Sequence, residues 1–265
     1  MKKHISRIVR ITLGIAAATL FSSCLENETT VTLNKDGSGT IVEETYLSAE
    51  MLEMMAQFGD PNGADPVAEM FTDDKSKAKA TKMGEGVEHV KTEMLNVDGK
   101  KGARVHFKFA DINTLNLNPM GAVSDAASMP GDDAEEEDKS VKFTYADSTL
   151  KIIVPPADFK DMAKDDEEDG GNAEMEATMK KMMESMRLNI KLVIADGIAE
   201  TNATHVEGDT ITLFDVQVGK MLEQEDELDK ISKLAETDMD AAKAAFSKID
   251  GMKVEMKEDV SVKIK

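Results

Sequence analysis

The sequence predicts an α+β fold, an antiparallel, hairpin-built sheet with several inserted and flanking amphipathic helices. Three observations carry this reading. Alternating apolar and polar runs come in pairs around turns at Asp36-Gly37-Ser38-Gly39, Asp98-Gly99, Ala146-Asp147-Ser148 and Glu207-Gly208-Asp209. Between the pairs lie stretches whose apolar residues recur at helical spacing. Those stretches are too few and wrongly placed for repeated right-handed βαβ units, which disfavours a Rossmann-type sheet.

In chain order, Glu26 to Tyr46 reads as the first hairpin, with Thr29, Val31 and Leu33 alternating against polar neighbours. Ser48 is placed to cap a helix from Ala49 to Phe58, whose Met51, Leu52, Met55 and Phe58 share a face. A weaker helical piece runs from Pro66 to Phe71, with Pro66 at its first position. The second hairpin takes in Val87 to Met94 and returns through Arg104 to Phe109. Residues Ser124 to Asp138 read as an exposed acidic loop. A third hairpin spans Val141 to Val154, stopped by Pro155 and Pro156. A helix is expected from Ala173 to Met186, then a fourth β region from Leu188 to Phe214. One amphipathic helix is expected from Val218 to Ala235 and another from Ala241 to Ile249. Val254 to Ile264 closes the chain as a strand pair or one bulged strand. The expected organisation is a signal peptide over 1–23, a hairpin-rich domain over 24–215, and C-terminal helices with a closing strand over 216–265, packed on that same domain.

Composition narrows the function classes. The 265 residues carry 32 Lys and Arg against 52 Asp and Glu, a formal charge of −20. Nucleic-acid recognition needs clustered cations, so a nucleic-acid partner is not expected. Aromatic residues make up 4%, which argues against base- or sugar-stacking platforms. The single cysteine excludes an intrachain disulfide framework and any multi-cysteine metal site.

That cysteine follows a targeting pattern. Lys2, Lys3, Arg7 and Arg10 precede an apolar run from Ile11 to Phe21, too short for an ordinary membrane-spanning helix. Leu20-Phe21-Ser22-Ser23-Cys24 then resembles a lipobox, with Phe21 where Leu is usual. The expectation is a bacterial lipoprotein: acyl chains on Cys24 insert in the membrane, each buried CH₂ adding ~0.8 kcal/mol. Removing the leader takes four cations and no acidic residue, leaving 28 cations against 52 acidic residues, or −24. Leu25 after the cysteine favours the outer membrane if the source is Gram-negative.

A strand close behind the cysteine, the turn Leu33-Asn34-Lys35-Asp36-Gly37-Ser38-Gly39-Thr40, and Ala195-Asp196-Gly197-Ile198 through Thr210-Ile211-Thr212-Leu213 together resemble the LppM-type domain of bacterial lipoproteins. The resemblance covers much of Leu25 to Phe214 and implies the fold and an envelope location. Lipid binding has been proposed for some members. Mycobacterial members also carry a C-terminal membrane segment, which this sequence does not show.

Beyond Cys24, several residues are candidates for chemistry. Met175, Met179, Met182 and Met186 step by four, three and four, as one helical stripe would. Packing the core is the first reading of this stripe; with Met51 and Met55 it could instead line a groove for an apolar ligand, a lipid or an envelope partner, and Cu(I) binding through the thioethers comes last because no His or Cys lies near it. Asn34, Asp36, Ser38 and Gly39 imitate the start of a calcium loop, but the twelfth position is Thr45 where a Glu is required, so a hairpin turn is the better reading. His89, His106 and His205 match no zinc spacing. No nucleophile–base motif or phosphate loop is present, so no enzyme activity and no cofactor are expected. A non-catalytic, lipid-anchored binding or structural protein is favoured. A calcium- or copper-handling protein and an unrecognised envelope hydrolase are the alternatives.

Overall fold

The computed structural model describes residues 25–58, 65–118, 140–154 and 184–265, with side chains 54–58 excepted. The fold is α+β. β1 (Leu25–Leu33) and β2 (Gly39–Leu47) form the central hairpin, and α1 (Ala49–Phe58), α2 (Pro66–Met70) and α3 (Asp73–Met83) follow. β3 (Glu88–Val97) and β4 (Lys100–Phe109) make the second hairpin. A 3₁₀ turn at Ile112–Thr114 leads to the short β5 (Asn116–Leu117), and β6 (Val141–Ala146) pairs with β7 (Thr149–Ile153). Then come β8 (Met186–Ile194), β9 (Ile198–Thr201), β10 (Val206–Glu207) and β11 (Thr210–Gln217). The chain ends in α4 (Val218–Leu222), α5 (Glu225–Ala235), α6 (Met239–Phe246), β12 (Met252–Val254) and β13 (Asp259–Ile264).

The strands form two sheets rather than the single sheet expected. The larger runs β10-β11-β8-β1-β2-β4-β3, with β12 also on β11; the smaller runs β5-β6-β7-β13-β9. All expected hairpins are antiparallel, but β1 pairs with β8 in parallel, Leu25 opposite Met186 and Leu33 opposite Ile194. Periodicity shows which strands exist; it cannot show that two strands far apart in sequence meet side by side. The closing segment likewise divides, β12 joining the larger sheet and β13 sitting between β7 and β9 in the smaller.

Local chemistry explains the element boundaries. Ser48 Oγ accepts the Met51 amide at 3.2 Å, and Asp65 Oδ1 accepts the Val67 amide at 3.0 Å, each opening its helix as a cap. α3 has no counterpart in the sequence pattern: its DDKSKAKATKM sequence has no broad apolar stripe, and only Ser76, Ala80 and Met83 are buried. The expected helix over Val218–Ala235 breaks between α4 and α5. Gln224 at the break donates to the Lys220 and Asp250 carbonyls at 2.7 and 3.1 Å and accepts the Asp250 amide at 3.2 Å. Those bonds tie it to the segment ahead of β12. Gly102 lies where a Cβ would come within 1.8 Å of the Thr45 carbonyl oxygen, so only glycine fits this approach of β4 to β2.

The two faces of the larger sheet differ. The inner face buries Val31, Leu33, Ile41, Val105, Phe107, Phe109, Leu192 and Ile194 against α3 and the smaller sheet's Phe143, Leu150, Ile152 and Val262. At ~1.5–3 kcal/mol per large buried side chain, this cluster is the main source of stability. α5 and α6 build a second cluster on Val216 from Leu228, Ile231, Phe246 and Ile249. The outer face is a ladder of ion pairs.

Candidate functional site

The expected site residues fall into two groups. Cys24, Met175, Met179 and Met182 lie outside the described residues, as does the Met55 side chain. Met51 and Met186 are described, and the structure brings them together. Both pack with Leu25, Leu47 and Val67 at the start of β1, 8% and 7% exposed respectively. Met186 is not the last residue of a helical stripe, as its spacing suggested. It is the first residue of β8, opposite Leu25. At Met186 the helical spacing gives way to a strand, whose pleat holds the thioether. Both side chains are packed in this cluster.

A feature that sequence reasoning missed lies between this cluster and the main core. On the inner face of β1 and β2, the apolar alternation is interrupted by Asn27, Thr29, Glu43 and Thr45. In register, Asn27 faces Thr45 and Thr29 faces Glu43. Asn27 donates to Thr45 Oγ1 at 2.9 Å, and Lys79 of α3 reaches down to Glu43 at 2.9 Å. Close by, Thr92 Oγ1 lies 2.9 Å from His89 Nε2 and 3.4 Å from Ser76 Oγ. The Glu43 side chain is 9% exposed and that of Lys79 28%. A carboxylate buried this far costs several kcal/mol in lost hydration unless its partner and hydrogen bonds compensate. The signal was present in the sequence as polar residues at inward positions of an otherwise apolar alternation.

The outer face is built differently. Arg187 grips Asp215 through two bonds of 3.1 and 3.2 Å, and Lys191 meets Glu28 at 3.1 Å. Arg104 meets Glu44 at 2.7 Å, and His106 meets Glu93 at 2.8 Å. The Asp215 carboxylate holds the Arg187 guanidinium above its ordinary range, and Glu44 does the same for Arg104. Burial and the neighbouring Glu44 push the Tyr46 hydroxyl up. Lys91 and then His106 hold the Glu93 carboxyl below the usual carboxylate range. Asn189, 3% exposed in the middle of this ladder, leaves its Oδ1 without a hydrogen-bond partner.

The remaining candidates resolve into structural roles. In the first turn, Asp36 Oδ1 accepts the Ser38 amide at 3.0 Å and the Ser38 hydroxyl at 2.6 Å, so these side chains close a hairpin. His89 packs edge-on against Phe107 on the inner face, while His106 lies on the outer face and His205 ahead of β10. Among the described residues, no three His, Cys, Asp or Glu side chains converge as a metal site. Glu255, wholly buried, receives the Thr204 amide and hydroxyl at 2.6 and 2.9 Å and the Lys257 amide at 3.1 Å. It clasps the link between the two sheets. Among the described residues, no helix is long and apolar enough to cross a membrane.

The class of protein this defines is an α+β domain of two sheets with a polar patch set into its inner face. The NMR structure of the folded domain of Mycobacterium tuberculosis LppM is similar over 74% of this chain and 84% of that one, with 11% identity and a TM-score of 0.35. No family model and no curated protein matches the chain.

Proposed function

We propose that this chain is a lipid-anchored protein of a bacterial cell envelope whose folded part binds an amphiphilic molecule and catalyses no reaction. The observation that carries the binding role is the patch of Asn27, Thr29, Glu43 and Thr45 on central strands, between the main core and the cluster of Leu25, Leu47, Met51 and Met186. Polar groups set between two buried apolar clusters offer the side-chain chemistry that suits a molecule with one hydrogen-bonding group and alkyl chains. The anchor is supported by the apolar leader ending at the chain's single cysteine.

Native mass spectrometry of the full chain, extracted from membranes in mild detergent, tests both parts. The expected result is a diacylglyceryl- and acyl-modified Cys24 together with a retained lipid of separate mass. Replacing Asn27→Leu together with Thr45→Val should release that lipid, weakening its retention at least tenfold. Acylated protein that never carries a second lipid would overturn the binding role.

A further inference from the structure

We propose that the folded domain sits directly on the bilayer, without a tether, with the Leu25 end of the larger sheet as its foot. This inference rests on the anchor reading of Cys24 above. Leu25 is already the first residue of β1, is 3% exposed, and is paired on both sides, with Leu47 and with Met186. One residue spans at most ~3.6 Å. An acylated Cys24 is therefore held within that reach of a central strand, and the strand cannot lift away from the headgroups without pulling the acyl chains with it.

The register identifies what else is at the foot. Leu47 lies opposite Lys101 on β4, and Arg187, next to Met186, lies opposite Gln217 on β11. Hence α1 leaves β2, the Asp98-Gly99 turn joins β3 to β4, and α4 leaves β11, all at this level. Partly buried Leu52, Met70, Phe71 and Val218 surround the buried cluster there, and Val97, 49% exposed, ends β3 at the same end of the sheet. Such residues suit the boundary between headgroups and acyl chains. The nine residues of β1, at ~3.3 Å per step, carry the chain about 26 Å along the strand from Leu25 to Leu33, ahead of the Asn34–Ser38 turn.

The test reconstitutes the lipidated full chain in phosphatidylcholine vesicles containing a lipid with a nitroxide on its headgroup. Fluorophores are placed on Val97→Cys at the foot and, separately, on Glu207→Cys at the far end. The foot label should be quenched at least threefold more than the far label. Inserting about 20 Gly and Ser residues between Cys24 and Leu25 gives a chain of roughly 25 Å mean reach and should erase the difference. Equal quenching of the two labels in protein whose Cys24 is acylated by mass would overturn the seat and leave the anchor standing. An unmodified Cys24 would overturn the anchor and the seat together.

Discussion

Glu43 and Glu44 are adjacent on β2 and point to opposite faces of the same sheet. Glu44 meets Arg104 on the outer face, where both side chains keep about a third of their surface in water. Glu43 meets Lys79 from the inner face, nearly sealed from solvent. Outside, a carboxylate exchanges water for a guanidinium at little cost, and a ladder of such pairs is an ordinary solvent-facing surface. Inside, the same group loses its hydration, so its presence among Val31, Ile41 and Val105 asks for a reason beyond stability. That contrast makes the inner patch, and not the more conspicuous ion-pair ladder, the place to look for binding.

Substitutions can break the comparison. The largest effect should come from the apolar part of the inner face: Phe107→Ala, at a position 1% exposed, should cost about 3–5 kcal/mol in urea unfolding. Glu43→Ala should cost about 1–3 kcal/mol by leaving the Lys79 ammonium over a buried patch, whereas Glu44→Ala should cost only ~0.2–1. Equal losses for the two glutamates would show that the faces do not differ as described. Asn27→Leu with Thr45→Val removes both partners of their own bond but also the Asn27 Oδ1 to which the Thr29 hydroxyl donates at 3.5 Å, so unfolding free energy should fall by only ~1 kcal/mol while lipid retention falls. A loss of several kcal/mol would make the patch part of the folding core.

The smallest effect is acid sensitivity. Hydrogen bonds from Lys91 and His106 lower the Glu93 carboxyl, and those from Ser38 and the Val67 amide lower Asp36 and Asp65 respectively. A carboxyl with a lowered folded-state pKa stabilises the fold above its unfolded value and loses that contribution as pH falls through its folded value. Melting temperature should therefore be flat near neutrality and fall below about pH 4. Glu93→Gln should shallow that fall, and an unchanged slope would remove Glu93 from the account.

Much of the fold was legible because it is local. Asp36-Gly37 and Asp98-Gly99 announce hairpins, Ser48 and Pro66 announce helix starts, and the strands beside them alternate. What escaped was set by partners distant in the chain. Nothing in Leu188-Asn189-Ile190 says that it will lie parallel to Glu26-Asn27-Glu28, and α3 is too polar to be told from a loop without the sheet it covers. The site was less legible than the fold. The methionine steps drew attention, yet Met186 belongs to a strand, and Met51 packs beside it in the cluster. The inward polar positions of β1 and β2 passed as ordinary strand residues because Thr and Asn suit either face until the face is known.

The parallel pairing of β1 with β8 has a consequence for how the molecule is made. The hairpins β1–β2 and β3–β4 join neighbours in sequence and can close as soon as their residues are available. β1 then waits, one edge paired with β2 and the other bare, until the segment from Met186 to Ile194 arrives. During that interval its Val31 and Leu33 line an open strand edge, the surface most prone to pairing with another chain. Burst-phase and slow refolding phases should separate along this division, the β1–β2 amides gaining protection from hydrogen exchange before those of β8.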